Sequence, residues 1–222
     1  MPETLQEKLD LVQQRIHAAC GRAHRDPAGV RLLAVTKIFP ADVICEAYAV
    51  GLREFGENYV QEMEDKAGAV AGLQGARFHL IGHLQSNKTK KAAQLFSAID
   101  SVDSVKLARR LDAEGVPLDI TIEVKLSHEE SKTGADAEGL ADIVAAVRAS
   151  GNLQLKGLMT VPPWSEDVER SRPYFAKLRE LARRHGIAEL SMGMSHDLEV
   201  AIEEGATWVR VGTALFGKRR KP

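Results

Sequence analysis

The sequence predicts an α/β protein, a single closed (β/α)8 barrel, and three observations carry that reading. Eight short apolar strand candidates alternate with helical patterns from residue 31 to the end of the chain, and most of those helical patterns stop at a glycine. The turn after the first strand, TKIFPAD, contains no glycine, and neither GxGxxG nor GxxxxGK followed by Ser or Thr occurs anywhere. An open doubly wound sheet would normally announce nucleotide binding with such a turn. A chain of 222 residues also fits the roughly 200–250 residues of single-domain α/β barrels.

The elements follow in order. Residues 4–20 form an amphipathic helix: Thr4-Leu5-Gln6-Glu7 has the capping-box form, and Leu5, Leu9, Val12, Ile16 and Ala19 recur at helical spacing. Gly21 and the stretch Asp26-Pro27-Ala28-Gly29 end it. Strands are expected at 31–36, 52–56, 77–81, 97–101, 118–124, 155–159, 189–192 and 208–211. Helices are expected at 40–50, 59–70, 87–96, 104–114, 137–149, 167–185 and 197–204, with Pro40 in a first turn and glycines at 51, 115, 151, 186 and 205 after last turns. About ten residues follow the eighth strand, too few for a full eighth helix, so the N-terminal helix (1–24) is expected to pack over that gap. No linker, low-complexity segment or close repeat divides residues 1–222, which read as one domain.

Bulk properties exclude several classes. The net charge of −1 provides no overall field for nucleic acid or anionic membrane. MPETLQEKLD lacks the basic and apolar regions of a signal peptide, and no run approaches the ~18 apolar residues of a membrane span. Cys20 and Cys45 are too few for a disulfide framework or a Cys-rich metal site. A cytoplasmic protein is the expectation.

In barrels the active site lies at the C-terminal ends of the strands, and phosphates bind between the loops after strands 7 and 8. Alternation places Leu33, Val35 and Lys37 on one face of the first strand and Trp208, Arg210 and Gly212 on one face of the eighth. Closure makes those strands neighbours, so Lys37 and Arg210 converge on one mouth and need an anion between them. Gly212 and Thr213, opening GTALFG, and Ser191-Met192-Gly193 after strand 7 offer hydroxyls and outward amides for a phosphate. A lysine among apolar neighbours has a depressed pKa, and its neutral amine attacks aldehydes to form a Schiff base. Pyridoxal 5′-phosphate brings an aldehyde, a phosphate and a pyridine nitrogen. The residues alone leave sugar-phosphate aldolase chemistry standing beside it.

Other readings compete for the same residues. Lys37 alone could be an ordinary strand-end lysine paired with a carboxylate, and Arg210 could pair with Glu57 or another acid. His79 and His83 flank a strand end with no third ligand indicated, so no metal site is expected. Ser195-His196-Asp197 resembles a written-out triad, but three consecutive side chains diverge. Lys88 to Lys91 and the tail Lys218 to Lys221 read as solvated charge.

The motifs LLAVTK, FGENYVQE, FHLIGHLQSNK, EVKLSHEESKTG, GLMTVPP and LSMGMSHDLEVAIEEGATWVRVGTALFG, in this order from Arg31 to Gly217, resemble the pyridoxal phosphate homeostasis proteins. Those look like the N-terminal barrel of alanine racemase standing alone. The resemblance implies a fold-type III TIM barrel with pyridoxal 5′-phosphate on Lys37 as a Schiff base and Arg210 facing the ring nitrogen. It further implies phosphate contacts from Ser191, Met192, Gly212 and Thr213, with Asn58 and Met159 near the cofactor. His196 departs from the small or acidic residue expected there. Family members are described as cofactor-binding regulators of vitamin B6 pools, so no catalytic residue is assigned. The implied role is cytoplasmic buffering or delivery of the cofactor by a monomer, with apo-enzymes as partners and no nucleic acid or membrane. The alternative is a weak racemase or lyase. Racemisation needs a second proton-transfer group, supplied in racemases by a tyrosine of a separate domain, and no such domain is expected here.

Overall fold

The computed structural model describes residues 3–127 and 133–217. The central part of the EVKLSHEESKTG motif (128–132) and the basic tail (218–222) lie outside the described residues.

Eight parallel strands close into a barrel in sequence order. They are β1 (Arg31–Val35), β2 (Glu54–Glu57), β3 (Arg77–Leu80), β4 (Ala98–Val102), β5 (Leu118–Glu123), β6 (Leu153–Met159), β7 (Glu189–Met194) and β8 (Trp208–Val211). Closure is made by β1 against β8, with Leu33 opposite Arg210 and Ala34 opposite Val211. Around the strands run α1 (Leu5–Arg22), α2 (Ala41–Ala49), α3 (Val60–Val70), α4 (Thr89–Leu95), α5 (Val105–Asp112), α6 (Leu140–Arg148), α7 (Arg172–Arg184), α8 (Leu198–Glu203) and α9 (Thr213–Phe216). Among the described residues no helix is long and apolar enough to cross a membrane.

The capping box at α1 is complete: the Glu7 amide donates to Thr4 Oγ1, and Glu7 Oε2 accepts from the Thr4 amide at 2.7 Å. Its buried face, Leu9, Val12, Ile16 and Ala19, packs with the core, and Gly21 remains helical. Arg15 holds Glu199 on α8 through two hydrogen bonds and donates a third to the Ser195 carbonyl. Arg25 donates to the carbonyls of Ile202 and Ala206 at the far end of α8. The helix therefore lies beside α8 in the space that the four-residue α9 leaves open.

Element ends shift for identifiable reasons. The helix expected over 167–185 is a 3-10 turn (Val168–Ser171) followed by α7, because Pro173 in the first turn cannot sit deeper in a helix. Leu52 donates its amide to Ala47 O and so completes the end of α2, which delays β2 to Glu54. Strand β7 continues to Met194 through a register shift: Ser191 pairs with Trp208, but Met194 already pairs with Arg210. Gly193, at φ +89°, permits that irregularity.

Two faces of the barrel wall differ in kind. Outward side chains such as Phe55, Ile120, Leu158, Met192 and Val209 form an apolar layer with the helices. The inward face is polar: Glu54, His79, Asp100, Thr121 and Ser191 share one cavity with Leu33. His79 lies 3.0 Å from Asp100 and 2.8 Å from Glu54. This interior, unlike an oil-filled barrel, can support charge below the mouth.

Candidate functional site

Lys37 stands two residues past β1, and its Nζ donates to Asn58 Oδ1, one residue past β2, at 3.3 Å. Asn58 is pressed against the next strand end. A methyl group at Gly82 would overlap the Asn58 carbonyl oxygen and lie 2.9 Å from its Cα, so the close approach requires glycine. Beneath them, Glu57 is fully buried and accepts from Thr36 Oγ1 at 2.6 Å and from Lys66 Nζ at 2.9 Å. Burial pushes its carboxyl pKa up, against the hydrogen bonds from Thr36 and Lys66 that pull it down. The partner of Glu57 is thus Lys66, not Arg210.

Arg210 is 4% exposed. Its Nη1 donates to the carbonyl and hydroxyl of Ser191 at 2.6 and 3.0 Å, and its Nη2 donates to Thr160 O at 2.9 Å. Among the described residues no carboxylate lies within 4.0 Å of it. Burial lowers its pKa, while the charges of Asp197, Glu123 and Asp100 oppose that shift from farther away. A buried guanidinium without a contact ion pair is costly unless something anionic or electron-rich completes its surroundings.

The chain after β8 meets β1 closely: a methyl group at Gly212 would lie 3.2 Å from Val35 O. Thr213 then opens α9, whose first-turn amides face outward from the helix end. The hydroxyl reaching this turn from β7 belongs to Ser195, which accepts from the Ala214 amide at 3.2 Å. Sequence reasoning picked Ser191 for that place. In the structure the Ser191 hydroxyl accepts from Arg210, and β7 runs two residues further, to Met194, than the expected 189–192. Met192 packs in the helix-side layer, so only its backbone remains for a ligand. Met159 pairs with Glu123 and Ser191 and shares their inward side.

The remaining motif residues separate. Ser195, His196 and Asp197 diverge: His196 stacks on Trp164 at 6.2 Å, and Asp197 Oδ1 accepts from the Met194 amide at 2.8 Å. His83 sits near Asp103 at 3.5 Å, while His79 faces the barrel interior. Tyr48 is bonded to Gln74 O, and Tyr59 is exposed at the rim.

Comparison with known proteins agrees with this geometry. The family model of the alanine racemase N-terminal domain matches residues 8–220. The pyridoxal phosphate homeostasis protein of Pseudomonas aeruginosa is 47% identical, with 97% of this chain and 96% of that one covered. That of Aquifex aeolicus is 44% identical, with 96% and 98% covered. PipY of Synechococcus elongatus, solved with PLP bound, is 38% identical with a TM-score of 0.83, covering 96% of this chain and 100% of that one. Alanine racemase of Clostridium difficile shares the fold at 12% identity and a TM-score of 0.71, with 94% of this chain but 60% of that one covered. With a strand-end lysine, a buried arginine and a hydroxyl-lined turn in place, and these relatives matched along almost the whole chain, the protein belongs to the pyridoxal phosphate homeostasis family, built on the alanine racemase N-terminal domain.

Proposed function

We propose that this chain holds pyridoxal 5′-phosphate at the C-terminal mouth of the barrel and buffers it or delivers it to apo-enzymes. Lys37 is the amine that carries the cofactor, and the observation that supports this most is its place two residues beyond Val35, whose carbonyl meets the turn that opens α9 at the seam of β1 and β8. The residues fit the group. Ser195, Gly212 and Thr213 suit a phosphate, and Arg210 suits the ring nitrogen because it lacks a contact carboxylate among the described residues. Asn58 orients the Lys37 amine, and Met159 offers an inward apolar surface beside Ser191. When bound, the cofactor supplies an aldehyde that joins reversibly to primary amines.

Holding, rather than turnover, is the function these residues favour. Arg210 donates hydrogen bonds but stays protonated, so it does not build the protonated ring that strengthens carbanion chemistry. Ser191 and Thr160 fix it in place, and among the described residues no contact carboxylate stands beside it to exchange a proton. The curated relatives carry the name of homeostasis proteins and not of enzymes. A monomeric state and a cytoplasmic setting belong to the same proposal.

The test is to load the protein with pyridoxal 5′-phosphate and mix it with an apo-enzyme that requires it. Restored activity of the acceptor, with no interconversion of alanine stereoisomers by the loaded protein, is expected. Steady-state racemisation that disappears in Lys37→Ala would replace the carrier by a racemase.

A further inference from the structure

The backbone on both sides of Lys37 is held by one helix. Thr36, Lys37, Ile38 and Phe39 form a turn in which the Phe39 amide donates to Thr36 O at 3.1 Å. Ile38, the third residue of that turn, has φ +69°. Turns with a positive φ at this position normally place glycine there, and a β-branched residue in that region is strained. Strain of this kind persists only where the surroundings impose it.

Two side chains of α3 impose it. Lys66 Nζ donates to the Thr36 carbonyl at 3.1 Å, and Glu62 Oε2 accepts from the Ile38 amide at 3.3 Å. Residues 62 and 66 are one helical turn apart and share a face. Lys66 is itself fixed by both oxygens of Glu57, whose neighbour Asn58 touches the Lys37 amine. The carbonyl before Lys37, the amide after it and Asn58, a partner of its Nζ, therefore all trace back to α3. A buried ion pair of this kind contributes little net stability compared with apolar packing, so its value lies in geometry.

We propose that α3 is a clamp on the Lys37 turn, with Glu62, Lys66 and Glu57 as positioning residues that set where the lysine amine stands. The clamp makes a cofactor on Lys37 slow to leave, and this consequence rests on the function proposed above. Loosening the Ile38 amide lets the turn relax to an ordinary φ and carries the amine away from Asn58.

The test compares Glu62→Ala, Glu62→Gln and the neutral pair Glu57→Gln with Lys66→Met against the parent chain. In cofactor-free protein, exchange of the Ile38 amide hydrogen is followed by NMR. In loaded protein, release of pyridoxal 5′-phosphate into an excess of hydroxylamine is followed by absorbance. Losing one such hydrogen bond is expected to raise both rates about fivefold in Glu62→Ala, while Glu62→Gln, which keeps an acceptor, stays within about twofold of the parent. The neutral pair should release faster without faster global unfolding. If it does not fold, the Glu62 variants decide alone. Unchanged exchange and release in Glu62→Ala overturn the clamp. A parent chain that takes up no cofactor overturns the function proposed above, and the exchange rates still decide the clamp.

Discussion

His79 gives the most quantitative handle on the polar interior that lies below the site. Its Nδ1 is 3.0 Å from Asp100 and its Nε2 is 2.8 Å from Glu54, so both ring nitrogens face carboxylates and both must donate. Burial disfavours the charged imidazole, but Asp100 and Glu54 outweigh it, and the pKa rises from 6.5 to about 9. Below pH 6.5 the folded and unfolded chains both carry this proton and its stabilisation is fully present. Between pH 6.5 and about 9 only the folded chain keeps the proton, so stability falls as pH rises. At about 1.4 kcal/mol per pH unit the loss across that window is about 3 kcal/mol. Urea unfolding at a series of pH values measures it, with His79→Gln as the comparison that keeps a hydrogen-bonding side chain but cannot titrate. The parent should lose stability through the window and His79→Gln should not. Equal pH slopes in the two proteins would refute a protonated His79.

Three further expectations concern the mouth. Gly82→Ala forces Asn58 away from its present position and should cost about 1–3 kcal/mol of stability, together with about tenfold in cofactor affinity. Titration of the folded variant with pyridoxal 5′-phosphate checks the second part. Ser195→Ala should weaken cofactor binding about tenfold and leave the melting temperature unchanged, as expected for a hydroxyl facing a charged ligand. Ser191→Ala should instead lower stability by about 1 kcal/mol through its lost bond to buried Arg210, read from the unfolding midpoint.

Much of the architecture was legible because it rests on periodicity. The strand candidates around Leu33, Phe78, Ile120 and Val209 match the observed strands to within one residue at each end, since apolar alternation and glycine stops are local signals. The strand-end positions of Lys37 and Arg210 were legible for the same reason: each sits at or near the end of an apolar run, where barrel chemistry is concentrated. The contact of Ser195 with the turn that opens α9 was not legible, because the extent of β7 depends on a register shift and on a positive φ at Gly193, and neither leaves a mark in hydropathy. The clue in the sequence was the second serine of SMGMS, which lies nearer the true strand end than Ser191. The Glu57–Lys66 pair was equally hidden, because a charged residue on α3 reads as solvent-facing until the packing of α3 on β2 is known. Strain at Ile38 has no sequence signal at all, since isoleucine is the residue least expected at a positive φ.

The central claim, that Lys37 is the cofactor-bearing amine, has a direct measurement. Borohydride reduction of protein loaded with pyridoxal 5′-phosphate, followed by proteolysis and peptide mass spectrometry, locates the pyridoxyl group. The account predicts the label on Lys37 and its loss in Lys37→Ala. A label confined to another lysine, or no label on protein that has taken up the cofactor, would contradict it.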